Sequence, residues 1–430
     1  MSPSESESRA HNRPRRHSSL ARPARTRSRP PRTSRRPAQP LPEPVAHDPT
    51  PVPFADLGLH PDLQRGVEDR GFERTTPIQS AVFPIVLEGH DLIACAETGT
   101  GKTAAFLLPI MDRIIRSRER ADAAETPGRT RVLVLAPTRE LAVQIDDDFQ
   151  GFGYHTGLTS VAVYGGVPMD PQERALRAGA DLVVATPGRL MDHMRSSVTN
   201  FERLDVLVLD EADRMLDMGF WPDVQRIVSA LPSSLAAGDG PSRQTLMLSA
   251  TMPDEVMGLV HQIMREPRFV QIGSRGAPAT TITHSAELVA TPKKAEWLAR
   301  FLRKARGRSL VFVRTKRGAE RLARQLASLG IRAAALHADR TQAQRTAAVE
   351  GFRSGRHRVL VATDIAARGL DIDAIEHVVN FEVPTSRETY VHRVGRTGRA
   401  EAVGHALTLA APEERRALET LERTFDLHLR

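Results

Sequence analysis

The chain is short of several things, and each shortage excludes something. Among 430 residues stands one cysteine, Cys95, so no internal disulfide can form and the expected compartment is a reducing one, the cytoplasm. Cys95 itself reads as a small buried apolar residue. No uncharged apolar run approaches the roughly 18 residues of a membrane-spanning helix, and the first residues hold no secretory apolar core, so no membrane association is expected. The histidines form no metal-ligating cluster with cysteine, and no His-Glu-x-x-His pattern occurs. The body of the chain is also short of net charge. Residues 1–50 hold eleven Arg and four acids, a net +7, against +8 for the whole chain.

What is there falls into a tail and two α/β series. Residues 1–52 are rich in Arg, Pro and Ser and almost empty of large apolar side chains, a composition that cannot offset its ordering entropy; we expect a disordered tail. Three roles fit it: an electrostatic arm on nucleic-acid phosphates, an organellar transit peptide, or a plain solvated tail.

The body is organised around Ala96-Glu97-Thr98-Gly99-Thr100-Gly101-Lys102-Thr103, which follows the apolar run 92–95. The spacing fits a glycine-rich phosphate loop. Gly99 and Gly101 permit the tight turn that aims backbone N–H groups at a triphosphate. Lys102 supplies a charge for the outer phosphates and Thr103 a hydroxyl for magnesium. Residues 104–116 read as a helix whose positive end faces the anion. Short apolar runs at 132–135, 161–163, 182–185, 206–209 and 246–248 read as strands buried on both faces. Residues 117–130 and 233–243 read as surface loops.

The run 206–209 leads into Asp210-Glu211-Ala212-Asp213, placing carboxylates at a strand's C-terminal end, where open α/β sheets bind ligands. Asp210 suits magnesium through its waters. Glu211 suits a base that orients and deprotonates the attacking water. Upstream, the segment 71–79 offers an aromatic ring and the Gln79 amide, a pairing able to hold a purine.

A polar stretch, 273–283, reads as a linker. Beyond it, strands are expected at 310–313, 333–336, 359–362, 377–380 and 406–409, with a helix over 319–329. No phosphate loop recurs there. The segment 390–399 places Arg393, Arg396 and Arg399 three apart, one face if helical, able to offset charge on a transferring phosphoryl.

Asp-Glu-Ala-Asp at 210–213, the loop at 96–103 and the Gln79 segment resemble the signatures of the superfamily 2 DEAD-box ATP-dependent RNA helicases. The resemblance covers nearly all of 54–430. It implies two tandem RecA-like domains, each a parallel sheet flanked by helices: a tail over 1–52, a Gln79-bearing segment over 53–80, a nucleotide domain over 81–272, a linker over 273–283 and a second domain over 284–430. It further implies ATP and Mg2+ as cofactors, and RNA bound without regard to sequence, with possible ribonucleoprotein partners. Phe54, Phe72 and Gln79 would recognise adenine, and Asp371 the ribose. Pro137, Thr138 and Arg139, Gly165 and Gly166, and Thr186, Pro187, Gly188 and Arg189 would grip the RNA backbone. So would Arg314, Thr315, Gln342, Arg345 and Thr363. Ser249 and Thr251 would contact Asp213 and couple ATP chemistry to RNA. Arg396 and Arg399 would be the arginine fingers, with His392 linking the halves.

Three residues depart from the family pattern. Thr75 stands where proline is usual, and Ala338 and Glu401 where glycine is usual. Glu401 places a negative charge near the fingers in sequence.

Overall fold

The computed structural model of the chain describes residues 43–45, 48, 50–96, 99–120, 129–199, 201–202, 204–232, 243–272, 281–367, 375–398 and 403–425. Most of the tail, 121–128 and 233–242 of the two expected loops, and 273–280 of the expected linker lie outside them.

The alternating apolar runs assemble into two parallel sheets. Among the described residues the first holds β1 (Leu92–Cys95), β2 (Val132–Leu135), β3 (Ser160–Val163), β4 (Leu182–Ala185), β5 (Val206–Leu209), β6 (Gln244–Ser249) and β7 (Arg268–Gln271). Their spatial order is β3-β4-β2-β5-β6-β1-β7. The second holds β8 (Ile282–Leu288), β9 (Arg308–Phe312), β10 (Ala333–Leu336), β11 (Val359–Ala362), β12 (Ile375–Asn380) and β13 (Gly404–Ala410), ordered β10-β11-β9-β12-β13-β8. All the strand pairings are parallel.

Period-2 alternation decides where each side chain goes. In β2, Val132 and Val134 enter one core with Leu182, Val184, Val206 and Val208. Leu133 and Leu135 enter the other with Val183, Leu207 and Leu209. Both faces are covered by helices, which is why these strands read as unbroken apolar runs. In the second sheet Val311, Val359 and Val361 face one core and Leu310, Phe312 and Leu360 the other.

Three expectations need correction. β7 and β8 were not foreseen. β7 is four residues long with polar ends, Arg268 exposed and Gln271 half-buried, because it is an edge strand beside β1 alone. β8 begins at Ile282, inside the expected linker. Its sequence is polar because β13 is its one neighbour, in register from Ile282 on Gly404 to Leu288 on Ala410. The expected loop over 117–130 loses its first four residues to the helix Lys102–Arg120, where Arg118 pairs with the Asp181 carboxylate and Ser117 Oγ accepts from Arg131 at 3.1 Å.

Candidate active site and nucleic-acid interface

The first sheet presents its nucleotide residues at the C-terminal ends of β1, β5 and β6. Beyond Cys95 the chain turns at Gly99 and Gly101, with φ of +82° and +88°, backbone that side chains with a Cβ rarely adopt. Gly101 has a second constraint: a Cβ there would lie 2.5 Å from Gln79 Nε2. The helix starts at Lys102, whose Nζ donates to the Ala96 carbonyl oxygen at 2.6 Å. Burial pulls the Lys102 pKa down, while Asp210, Glu211 and Asp213 push it back up. Thr103 is half-buried one residue further on, and Thr100 lies in the turn. Glu97 and Thr98 lie outside the described residues.

At the end of β5, Asp210 is buried and its carboxyl is pushed up to about 7 by burial and by Glu211, against the opposing charge of Lys102. Its Oδ1 accepts from the Glu211 N–H at 2.9 Å. Glu211 has φ +51°, a left-handed conformation that costs a non-glycine residue about 1–3 kcal/mol. Its Oε2 pairs with Arg214 Nη1 at 2.6 Å, both side chains buried. Sequence reasoning missed Arg214; an acid and an arginine three apart at a helix start was the available signal.

Asp213 is the hub. Its Oδ2 accepts from the Thr251 N–H at 2.9 Å and the Thr251 hydroxyl at 2.8 Å, and its own N–H donates to Ser249 Oγ at 3.2 Å. Ser249 Oγ in turn donates to the Thr251 carbonyl at 2.6 Å. Burial raises the Asp213 carboxyl, but His392, Arg214 and the two hydroxyl contacts outweigh it and hold it below the usual range. His392, on the helix Arg387–Val394 of the second lobe, places Nε2 4.0 Å from Asp213 Oδ2.

The arginine segment differs from the expected single helical face. The helix stops at Val394, so Arg396 sits in the turn beyond it, buried, with Nε donating to the His392 carbonyl at 3.4 Å. Arg393 turns inward: Nε and Nη2 grip the two Asp364 oxygens at 2.6 and 2.8 Å, and Nη1 reaches Asn380 Oδ1 at 3.0 Å. Arg399, Glu401 and Asp371 lie outside the described residues.

The purine-side residues also differ from expectation. Phe72, the expected exposed ring, is half-buried; it packs edge-on against Phe54, which is 1% exposed, with centroids 5.8 Å apart, and against Phe152 at 5.3 Å. Gln79 is buried. Its Oε1 accepts from the Thr76 N–H at 2.8 Å and its Nε2 donates to the Gly101 carbonyl at 3.2 Å. The amide therefore ties a helix start to the phosphate loop, leaving one donor and one acceptor site.

Along the strand ends of the first sheet, Thr138 follows buried Pro137 and caps the helix Arg139–Phe152, its Oγ1 accepting from the Leu141 N–H at 3.2 Å. Gly166, with φ +85°, leaves room for Arg139: a Cβ there would lie 2.0 Å from its Nη1. Gly165 is the residue before it. Arg189, behind Thr186, Pro187 and Gly188, donates to the Val167 carbonyl from both Nη atoms at 3.1 Å. In the second lobe Arg314 and Thr315 are exposed after β9, with Thr315 Oγ1 capping its helix through the Gly318 N–H at 3.0 Å. Thr363 is buried at the end of β11. Three of the expected RNA residues meet across the lobes. Arg345 Nη2 pairs with Glu140 Oε1 at 2.8 Å, Gln342 Nε2 reaches the same oxygen at 3.4 Å, and Arg139 Nη1 lies 3.5 Å from Gln342 Oε1.

A phosphate loop on one lobe, with a second lobe touching its acidic hub, defines a two-lobed nucleotide-dependent machine. The family description DEAD/DEAH box helicase matches residues 76–259, and helicase conserved C-terminal domain matches 293–401. The chain is 39% identical over 372 residues to DEAD-box ATP-dependent RNA helicase CshA of Bacillus cereus, covering 86% of this chain and 68% of that one. It is 45% identical over 358 residues to DEAD-box ATP-dependent RNA helicase 30 of Arabidopsis thaliana; the match covers 83% of this chain but 58% of the relative. S. cerevisiae Dbp5 bound to RNA and ADP BeF3 superposes with TM-score 0.75 at 30% identity, over 87% of this chain and 94% of that one. The chain therefore belongs to the DEAD-box ATP-dependent RNA helicases, ATP-hydrolysing enzymes built from two RecA-like lobes.

Proposed function

We propose that this protein hydrolyses ATP to open short RNA duplexes locally or to remodel RNA–protein complexes, holding RNA by its backbone. The observation that carries this reading is the Asp213 hub, which joins the β5 end, the Ser249–Thr251 turn and His392 of the other lobe. A carboxylate bonded to the Ser249–Thr251 turn and 4.0 Å from His392 of the other lobe could tie hydrolysis to lobe contact.

In the reaction, Lys102 leaves the Ala96 carbonyl for the outer phosphates. Glu211, fixed by Arg214, orients the attacking water and takes its proton. Arg396 and Arg399 offset the charge of the transferring phosphoryl. Phe54, Phe72 and Gln79 serve the adenine side and Asp371 the ribose, while Arg139, Arg189, Arg314, Gln342, Arg345 and their neighbouring turns hold RNA phosphates. The donors present fit magnesium: a Thr103 hydroxyl and an Asp210 carboxylate are hard oxygens. Among the described residues no cluster of three His, Cys, Asp or Glu forms a protein-only cage, and magnesium is held by few side chains plus water and phosphate. When bound, it neutralises phosphate charge.

The domain limits follow the strands, with the linker ending before Ile282. The tail acts as an RNA arm. No helix of the described residues is long and apolar enough to cross a membrane, and the one buried thiol suits the cytoplasm. The test is Glu211→Gln. Phosphate release should stop while ATP and RNA stay bound together; release at the wild-type rate would refute the assignment of the base. Wild-type ATPase should respond to RNA and not to DNA.

A further inference from the structure

The second lobe carries charge at an edge that the mechanism does not use. Residues 293–332 hold thirteen Lys or Arg and two acids, a net +11, although the whole body from 51 onward is nearly neutral. Part of this run, Arg303-Lys304-Ala305-Arg306-Gly307-Arg308, is four-sixths basic, and Arg353-Ser354-Gly355-Arg356-His357-Arg358 repeats the pattern further on.

The fold brings the two together. In a parallel sheet with flanking helices, helix C-termini and strand starts share one edge. Here the helix Lys294–Lys304 ends beside the start of β9, and the helix Gln342–Arg353 ends beside the start of β11. Arg358 donates from Nε to the Gly307 carbonyl at 3.1 Å and from Nη2 to that of Ala305. Arg308 Nη1 reaches the Arg353 carbonyl at 3.2 Å, and the Arg358 N–H donates to the Arg332 carbonyl at 2.9 Å. Arg303 Nη2 reaches the Leu329 carbonyl at 2.7 Å. Arg303 and Arg358 make these bonds to backbone carbonyls and not to carboxylates. Arg306, Arg332 and Arg356 are exposed. The field is felt locally: His357 is held below its usual pKa by burial and then by Arg356 and Arg332. Among the described residues, acids near this edge are Glu376, taking the Arg308 N–H at 2.5 Å, and Glu350 in the last helical turn.

We propose that this strand-start edge, presented by Arg306, Arg332 and Arg356, is a second RNA-backbone contact surface outside the cleft. It lies at the opposite end of the strands from Arg314 and Thr363, separated by about 13 Å over the four steps from Arg308 to Phe312 at roughly 3.3 Å each. Clustered guanidinium groups suit an extended polyanion bound without sequence preference. An RNA enzyme supplies that polyanion as its own substrate, so the inference rests on the RNA reading above. Its consequence is that long RNA stays tethered to the second lobe while the cleft releases and regrips.

The test compares the full chain with R306E/R332E/R356E, using a short single strand that just fills the cleft and a strand several times longer. The expected result is about tenfold weaker binding of the long strand, with a salt slope shallower by about 2 at roughly 0.7 per lost contact. Short-strand affinity and short-strand-stimulated ATPase should stay at wild-type values. Long-strand binding equal to wild type would overturn the proposal and leave an acidic protein as the candidate partner. Equal loss on both strands would also overturn it, provided that R306Q/R332Q/R356Q, with wild-type thermal midpoint, repeats the equal loss. Wild-type ATPase indifferent to RNA would instead count against the parent reading, since the edge is judged by binding alone.

Discussion

The two lobes share a fold plan but handle charge differently. In the first, Lys102, Asp210, Glu211, Asp213 and Arg214 are each under a tenth exposed and bonded to one another or to nearby backbone. In the second, Arg314 and Thr315 stand in solvent, and the arginines of the strand-start edge are exposed or half-buried. The first lobe holds its chemistry in a low-dielectric pocket where each charge is worth more and each loss costs more. The second lends groups that reach. Arg393 and Arg396 are buried in the second lobe, and half-buried His392 brings Nε2 to 4.0 Å from Asp213 of the first.

That contrast can be broken by substitution. The largest effect should come from Lys102→Ala, which we expect to lower ATP hydrolysis about a hundred- to ten-thousandfold with or without RNA, the span typical of losing one reaction-centre group. Arg314→Ala should instead leave RNA-independent hydrolysis unchanged and weaken RNA stimulation; comparable loss in both would erase the distinction between the lobes. Next in size is the core. Leu207→Ala, at a fully buried β5 position, should cost about 2–5 kcal/mol of unfolding free energy by denaturant titration.

The same contrast explains what the sequence showed and hid. Strands β2, β4 and β5 are buried on both faces, and their apolar runs marked their ends to the residue. Edge strands β7 and β8 pair on one side only, so Arg268, Thr283, His284 and Ser285 concealed them. The phosphate loop and the 210–213 acids were legible because their residue types are dictated by local chemistry. Arg214 and the Glu140–Arg345 pair were not, since each depends on where the chain returns in space. The burial of Phe54 was hidden for the same reason: it packs against Phe72, which packs in turn against Phe152 from a distant helix. The spacing of Arg393, Arg396 and Arg399 suggested one helical face, but the helix ends first, and Arg393 is diverted to Asp364.

Smaller effects sharpen the picture. Thr315→Ala removes a helix cap and should cost about 1 kcal/mol. Ser285→Ala, on edge strand β8, should stay within about 0.5 kcal/mol by the same titration. A loss there as large as that of Leu207→Ala would mean that β8 is integral to its lobe's core.

The central claim is that groups from the second lobe complete a hydrolysis site built on the first. Its most direct measurement is steady-state phosphate release by Arg396→Ala in saturating RNA, alongside ATP binding by the same protein. ATP binding close to wild type, with RNA-stimulated release lost, is the predicted result. Release at the wild-type rate would place all of the chemistry on one lobe and contradict the account.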